Sequence, residues 1–221
     1  MSILRLLLAG GLLVSLNACA AKPKPDYADF FEHHPRSILI VPAFNKTTAV
    51  EAPPVFNTTI TLPLAERGYY VFPISLTSDI LTDLGLTDEG LISQLEPQRF
   101  RDVFGADAVL FVTINAWKTT YLVIASSVEV EINYRLVDTA TGKVLWDRTQ
   151  RVVESSGGHG GGGGIGALIS MAIQAAVTAM IVDYRPLAQR ANLLIVTRPG
   201  EGLPAGPYRP DYKTDYAGFR N

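Results

Sequence analysis

Val128-Glu129-Val130-Glu131-Ile132-Asn133-Tyr134-Arg135-Leu136 alternates apolar and polar residues without a break. A period of two places Val128, Val130, Ile132, Tyr134 and Leu136 on one side of an extended chain, with Glu129, Glu131, Asn133 and Arg135 on the other. The stretch is therefore predicted to be a strand with one face on a core and one in water. Asp138-Thr139-Ala140-Thr141-Gly142-Lys143 follows as a turn cluster. Working outward, Ala108 to Trp117, Tyr121 to Val137 and Val144 to Val153 read as three consecutive extended segments, an antiparallel meander.

Upstream the pattern changes. Ser37 to Val41 is a continuous apolar run closed by Pro42, which suits a strand buried on both faces. Val55 to Arg67 places Val55, Thr59, Leu62 and Glu66 at helical spacing before Gly68, with Pro63 expected to interrupt the helix. Tyr69 to Pro73 is a short strand. Ser75 and Asp79 are candidate N-caps for a helix to Leu84, Thr87 to Leu91 starts another, and Glu96 to Phe104 continues the helical set up to Gly105. The expected class is α+β: a mixed sheet with a C-terminal antiparallel meander and helices packed on one face.

The first residues have a separate logic. Met1 to Arg5 carries only a positive charge, and Leu6 to Leu16 carries none. That apolar run is too short to cross a bilayer core as a helix, which takes about 20 residues. It reads instead as the n-region and h-region of a secretory signal over residues 1–18. Leu16-Asn17-Ala18-Cys19 resembles the lipobox of bacterial lipoproteins, in which the cysteine becomes the first mature residue; a generic cleavage site among Ala18, Ala20 and Ala21 is the alternative. Cys19 is the only cysteine in 221 residues, so no disulfide partner exists within the chain. Lipidation at Cys19 gives that residue a purpose, and the several acyl chains the resemblance implies would anchor stably where one is marginal. Ala20, where an Asp would retain such a protein at the inner membrane, points to the outer membrane. Residues 19–35 then read as the lipidated cysteine and a tether stiffened by Pro23, Pro25 and Pro35.

Without residues 1–18 the chain loses Arg5, leaving 18 Lys and Arg against 21 Asp and Glu, a net charge of about −3. No basic excess is present to recruit nucleic acid. Residues 36–196 are enough for a single periplasmic domain with its own core, followed by a Pro-, Gly- and Tyr-rich tail over 197–221. Whether that tail docks is open from sequence.

Ser37 to Pro42, Gly105-Ala106-Asp107-Ala108-Val109-Leu110, and Val137-Asp138 through Thr141-Gly142-Lys143-Val144-Leu145-Trp146 together resemble the periplasmic domain shared by CsgG, LpoB and the TolB N-terminal domain. With the glycine-rich loop, the apolar segment after it and Gly206-Pro207-Tyr208-Arg209-Pro210, the whole chain is similar to a family of bacterial lipoproteins of unassigned function associated with CsgG-type operons. The resemblance implies a CsgG/TolB-N-like sheet and no enzymatic activity.

The glycine-rich loop 155–166 leads into an apolar segment, as phosphate loops do, but Ile165, Gly166 and Ala167 stand where a P-loop needs Lys and Ser or Thr. It reads as a mobile connection. Residues 165–182 carry no charge and reach the lower limit for a membrane span. Ser170, Gln174 and Thr178 nevertheless form a polar stripe opposite an apolar face, which suits a helix packed on the sheet or on a copy of itself. His33, His34 and His159 are the only histidines, and neighbours on an extended tether would point apart, a poor start for a metal site. Glu129 and Glu131 share a strand face with Arg135, as on a solvated surface. No catalytic, metal-binding or cofactor-binding residue is expected.

The expectation is a non-enzymatic outer-membrane lipoprotein facing the periplasm, held to the membrane through Cys19. It would bind envelope proteins as an accessory of a CsgG-type secretion or surface-assembly system. Two alternatives are a peptidoglycan synthase regulator of LpoB type and an oligomeric pore component inserting residues 165–182. Self-association would be one way to cover the 165–182 helix.

Overall fold

In the computed structural model, which describes residues 27–121, 126–155 and 183–219, the alternating stretch is the central strand of the meander. The elements run α1 (Ala28–His33), β1 (Ser37–Ile40), β2 (Phe44–Asn45), α2 (Ala52–Glu66), β3 (Tyr70–Val71), α3 (Ile74–Asp83), α4 (Glu89–Ile92) and α5 (Pro97–Phe104). Then come β4 (Ala108–Tyr121), β5 (Ser126–Asp138), β6 (Val144–Ser155), α6 (Arg185–Thr197) and a 3₁₀ turn at Asp215–Gly218. The signal, Cys19, the glycine-rich loop from residue 156 and the 165–182 segment lie outside the described residues.

The sheet is mixed, in the order β3-β1-β4-β5-β6, with β2 pairing farther along β4. β1 is parallel to β3 and β4, and β2 is parallel to β4. β4, β5 and β6 form the expected antiparallel meander, with Leu110 opposite Leu136 and Leu136 opposite Trp146. The α+β class with its mixed sheet is as the pattern predicts.

Alternation sorts the core. Ile38 and Ile40 of β1, with Leu110, Val112 and Ile114 of β4 and Val128, Val130, Ile132, Tyr134 and Leu136 of β5, face the larger core. That core is roofed by α2 and α6. α2 buries Ala52, Phe56, Thr59, Ile60, Pro63 and Leu64, and α6 buries Leu187, Ala188, Ala191, Asn192, Ile195 and Val196. Both sets recur at the three- and four-residue spacing of a single helix stripe. Helix α2 runs through Pro63 rather than stopping: the proline lies in the last turn, and its carbonyl still accepts the Arg67 N–H at 3.0 Å.

Helices do not keep to one face. Leu39, Val41, Val109, Phe111 and Val137 point the other way into a second cluster with Leu81 of α3, Ile92 of α4 and Phe100 of α5. Three successive buried apolar residues in β1, Ile38, Leu39 and Ile40, require this, because each face of the strand needs its own cover. Helix α3 starts at Ile74 after Pro73, without a side-chain cap, instead of at Ser75 or Asp79. Asp88 caps α4 by accepting the Leu91 N–H at 2.8 Å.

The tether expected over residues 19–35 does not reach Pro35, because the chain is already folded at Tyr27. Tyr27 and Phe30 are buried, and α1 packs against the C-terminal segment. The C-terminal segment, whose docking the sequence leaves open, is packed on the domain. Leu203, Ala205, Tyr216 and Phe219 are buried, Phe31 stacks on Tyr216 at 4.3 Å, and Tyr27 meets Phe219 edge-on at 5.0 Å. Tyr27 also donates to the Gly202 carbonyl at 2.6 Å, with burial pushing its phenol up to about 12. Arg67 donates to Leu203 O and pairs with Asp215 at 2.7 Å, although burial still raises the Asp215 carboxyl.

One polar chain crosses the main core. Tyr134 donates to Asn192 Oδ1 at 2.5 Å, Asn192 Nδ2 donates to Thr59 Oγ1 at 2.9 Å, and Thr59 donates to Phe56 O at 2.7 Å. β5, α6 and α2 are thereby fixed to one another where apolar contact alone would allow sliding.

Candidate functional site

The chain turns sharply at the end of α1, and that turn begins a polar cup. His34 caps the helix in the left-handed conformation (φ 45°, ψ 60°), its N–H donating to Phe30 O at 3.0 Å. Across the cup Lys213 has φ 65°, and among the described residues these are the two non-glycine positions of positive φ. Such backbone is uncommon for side chains with a Cβ and concentrates where structure over-determines it. Both residues line one cavity of about 420 Å³, together with His33, Arg36, Arg101, Asp107, Asp138 and Tyr212.

Each wall has a local cause. Asp107, from the Gly105-Ala106-Asp107 turn, ties β1 to β4: its Oδ2 accepts from Arg36 N, Ser37 N and Ser37 Oγ, each at 3.0 Å. That clamp sets the direction in which Arg36 leaves the sheet. Asp138 opens the β5–β6 turn, its Oδ1 accepting from Ala140 N, Thr141 N and Thr141 Oγ1 at 3.0, 2.7 and 2.7 Å. Gly142, at φ 73°, completes this turn. The His34 ring stacks on Tyr216 at 6.0 Å and meets Tyr212 at 6.4 Å, while Lys213 Nζ stands 5.3 Å from the Tyr212 ring centre.

The charges do not balance. One oxygen of each carboxylate accepts from three donors, Asp107 from Arg36 and Ser37 at the start of β1 and Asp138 from within its own turn, whereas the Arg36 and Arg101 guanidiniums have no carboxylate partner among the described residues. Arg36, Arg101 and Lys213 are exposed at the rim. Partial burial, then the charges of Lys213 and His33, hold the His34 imidazole below its ordinary pKa of 6.5. Three permanent cations against two engaged carboxylates make the cup attractive to an anion.

The histidine pair thus differs from its expectation. His33 and His34 are not on extended chain, and both line the cup. His33 Nδ1 donates to Asp29 O at 2.7 Å, while its Nε2 lies 3.3 Å from Thr141 Oγ1. The ligand atoms of Asp29, Glu32 and His33 lie within 4.8 Å of one another, but Lys143 Nζ pairs with Asp29 at 2.8 Å and Glu32 at 3.7 Å. The two carboxylates there already have a cation.

Two other surfaces complete the picture. β5 presents Glu129 and Glu131 on the side away from the main core, as expected, but Arg151 (2.8 Å) and Lys118 (3.6 Å) are the partners of Glu129, which its hydrogen bond from Arg151 holds below the usual carboxylate pKa. Arg135 instead lies over the Phe111 ring at 5.0 Å. Between α3 and α5 an apolar groove of about 330 Å³ is lined by Leu81, Leu84, Leu95 and Phe100 among others. Among the described residues no helix is long and apolar enough to cross a membrane.

A family model described as "Putative lipoprotein GNA1162-like" matches residues 25–208. The chain belongs to the GNA1162-like lipoprotein family. A Neisseria meningitidis serogroup B protein, "Putative lipoprotein NMB1124/NMB1162", is 34% identical over 170 residues, covering 76% of this chain and 79% of the relative. The crystal structure of lipoprotein GNA1162 from Neisseria meningitidis superposes with a TM-score of 0.55 at 32% identity, over 66% of this chain and 98% of that one. The LpoB C-terminal domain from Salmonella enterica is more distant, with a TM-score of 0.32 at 19% identity, over 53% of this chain and 83% of that one. Within the GNA1162-like match lie His33, His34, Arg36, Arg101, Asp107 and Asp138; Tyr212 and Lys213 fall just past its end.

The sequence alone offered little signal for the cup. His33, His34 and Tyr212 stand out as residues, but nothing local marks Arg36, Arg101 or Lys213, which meet only because β1, α5 and the C-terminal segment converge at one end of the sheet.

Proposed function

We propose that this GNA1162-like lipoprotein is a non-enzymatic component of the outer membrane, anchored by acyl chains on Cys19, facing the periplasm and working by binding other envelope proteins. The observation that supports this most is how soon folding begins after the lipobox. Tyr27, buried against Phe219, stands eight residues after Cys19. Even fully extended, eight residues span at most about 29 Å. A domain on so short a connection works at the membrane surface, within reach of other membrane-held proteins.

The surface offered to a protein partner is the polar side of the meander. Lys118, Glu129, Glu131 and Arg151 form a charged ladder there, which suits a specific, register-fixing contact. The finer reading is that the partner belongs to a CsgG-type secretion or surface-assembly system, on the strength of the motif resemblance at Ser37–Pro42, Gly105–Leu110 and Val137–Trp146. The test is in-cell photo-cross-linking from positions 131 and 149, with mass spectrometry of the adducts. A single envelope protein caught from both positions, and lost in Arg151→Glu, is the expected result. Absence of any adduct from either position overturns the protein-binding reading, and an adduct unrelated to secretion overturns the finer one.

A further inference from the structure

The geometry points to the cup formed by Arg36, Arg101, Lys213, His34 and Tyr212 as a binding site for a phosphate group. Neither the family nor the anchorage assigns a ligand to this place.

Several independent features converge on it. Two guanidiniums without carboxylate partners among the described residues come from different elements, Arg36 preceding β1 and Arg101 on α5, and both line the same concavity. Guanidinium forks match phosphate oxygens in pairs, whereas Lys213 adds a point charge and Tyr212 a phenolic donor. The carboxylates that face the cup each have one oxygen committed to three donors, Asp107 to Arg36 N, Ser37 N and Ser37 Oγ and Asp138 to Ala140 and Thr141 of its own turn, which lowers their competition for the guanidiniums. The cup also holds the two positive-φ non-glycine positions among the described residues, His34 and Lys213. Such backbone is retained where side-chain placement matters. At about 420 Å³ the space exceeds a bare phosphate and admits one carrying a small substituent.

Phosphate can reach the cup from two sources. His34 closes the six-residue helix that starts next to Tyr27, so the cup lies about 10 Å of helix beyond Tyr27, and an acylated Cys19 would hold it near a membrane surface. A lipid headgroup phosphate is therefore within reach, and this part alone rests on acylation at Cys19. A soluble phosphate compound is the other source. With cations at an exposed rim, salt should weaken binding from either.

The acylated full chain, held in uncharged detergent, is titrated with inorganic phosphate and followed by thermal shift and by NMR of the histidine rings. Saturable binding is expected, with His34 signals moving. Arg36→Gln/Arg101→Gln should weaken it at least tenfold, and Arg99→Gln, outside the cup, should leave it unchanged. Flotation of the Cys19→Ala chain with vesicles of phosphatidylglycerol or phosphatidylcholine then separates the sources. Binding to the anionic vesicles that phosphate competes away assigns a headgroup; phosphate binding without vesicle binding assigns a soluble ligand. No saturable phosphate binding, or equal binding by the double variant and wild type, overturns the site. Membrane fractionation of Cys19→Ala is unaffected by that failure, so the two readings fail separately.

Discussion

Gly206 lies so close to Gly68 that a Cβ at residue 206 would stand 2.2 Å from the Gly68 carbonyl oxygen. The contact is cemented on both sides: Gly206 N–H donates to Arg67 O at 2.8 Å and Tyr208 N–H to Gly68 O at 3.2 Å. Gly68 itself holds φ 89°, so the turn after α2 and the C-terminal segment fit only without side chains.

Gly206→Ala should therefore destabilise the fold by about 1–3 kcal/mol, the range for forced overpacking. The loss should localise to the C-terminal segment, because Arg67, Tyr69 and Asp215 hold the same strip. Urea denaturation with limited tryptic proteolysis after Lys213 reads both. An unchanged midpoint and an unchanged cleavage rate would show that the two glycines are not locked together.

Across the main core, Asn192→Leu removes the middle of the Tyr134–Asn192–Thr59 chain and leaves the buried Tyr134 hydroxyl without its acceptor. The expected cost is about 1–3 kcal/mol. Tyr134→Phe combined with Asn192→Leu and Thr59→Val removes every partner at once and should recover part of that loss. A triple variant less stable than Asn192→Leu by the full sum of the single costs would deny the coupling.

His34 sets an acid-side dependence. Its folded pKa lies below the unfolded 6.5, because burial and the charges of Lys213 and His33 disfavour the imidazolium. The unfolded chain then takes up the proton first as pH falls, so this contribution to stability is present above about 6.5 and is lost toward the folded pKa. His34→Gln should flatten the stability profile in that window. NMR titration of His34 giving a pKa at or above 6.5 would contradict the assignment.

The legible parts of the fold are those whose physics is local. The β5 alternation gives a one-sided strand, the Ser37–Val41 run gives a strand covered twice, and Asp138–Lys143 gives the turn. Helix α6 is overshadowed in the sequence, although Pro186 at its start and the spacing of Leu187, Ala191 and Ile195 mark it, because the uncharged stretch before it is the louder apolar signal. Helix α1 was hidden by prolines on either side and by its short length; Tyr27 and Phe30 become core only once Gly202 and Phe219 arrive from the other end of the chain. The cup is illegible for the same reason. Its cations come from three segments that only the tertiary fold brings together, and a charged residue alone carries no mark of its future neighbours.

The central claim is that acyl chains on Cys19 are the membrane attachment of an otherwise complete domain. Carbonate extraction of membranes from cells producing Cys19→Ala, paired with thermal melting of the released protein, tests it most directly. Wild type is expected in the pellet and Cys19→Ala in the supernatant, folded and melting as the wild-type domain does. Cys19→Ala retained in the carbonate-washed pellet would contradict it, and would shift the attachment to another part of the chain.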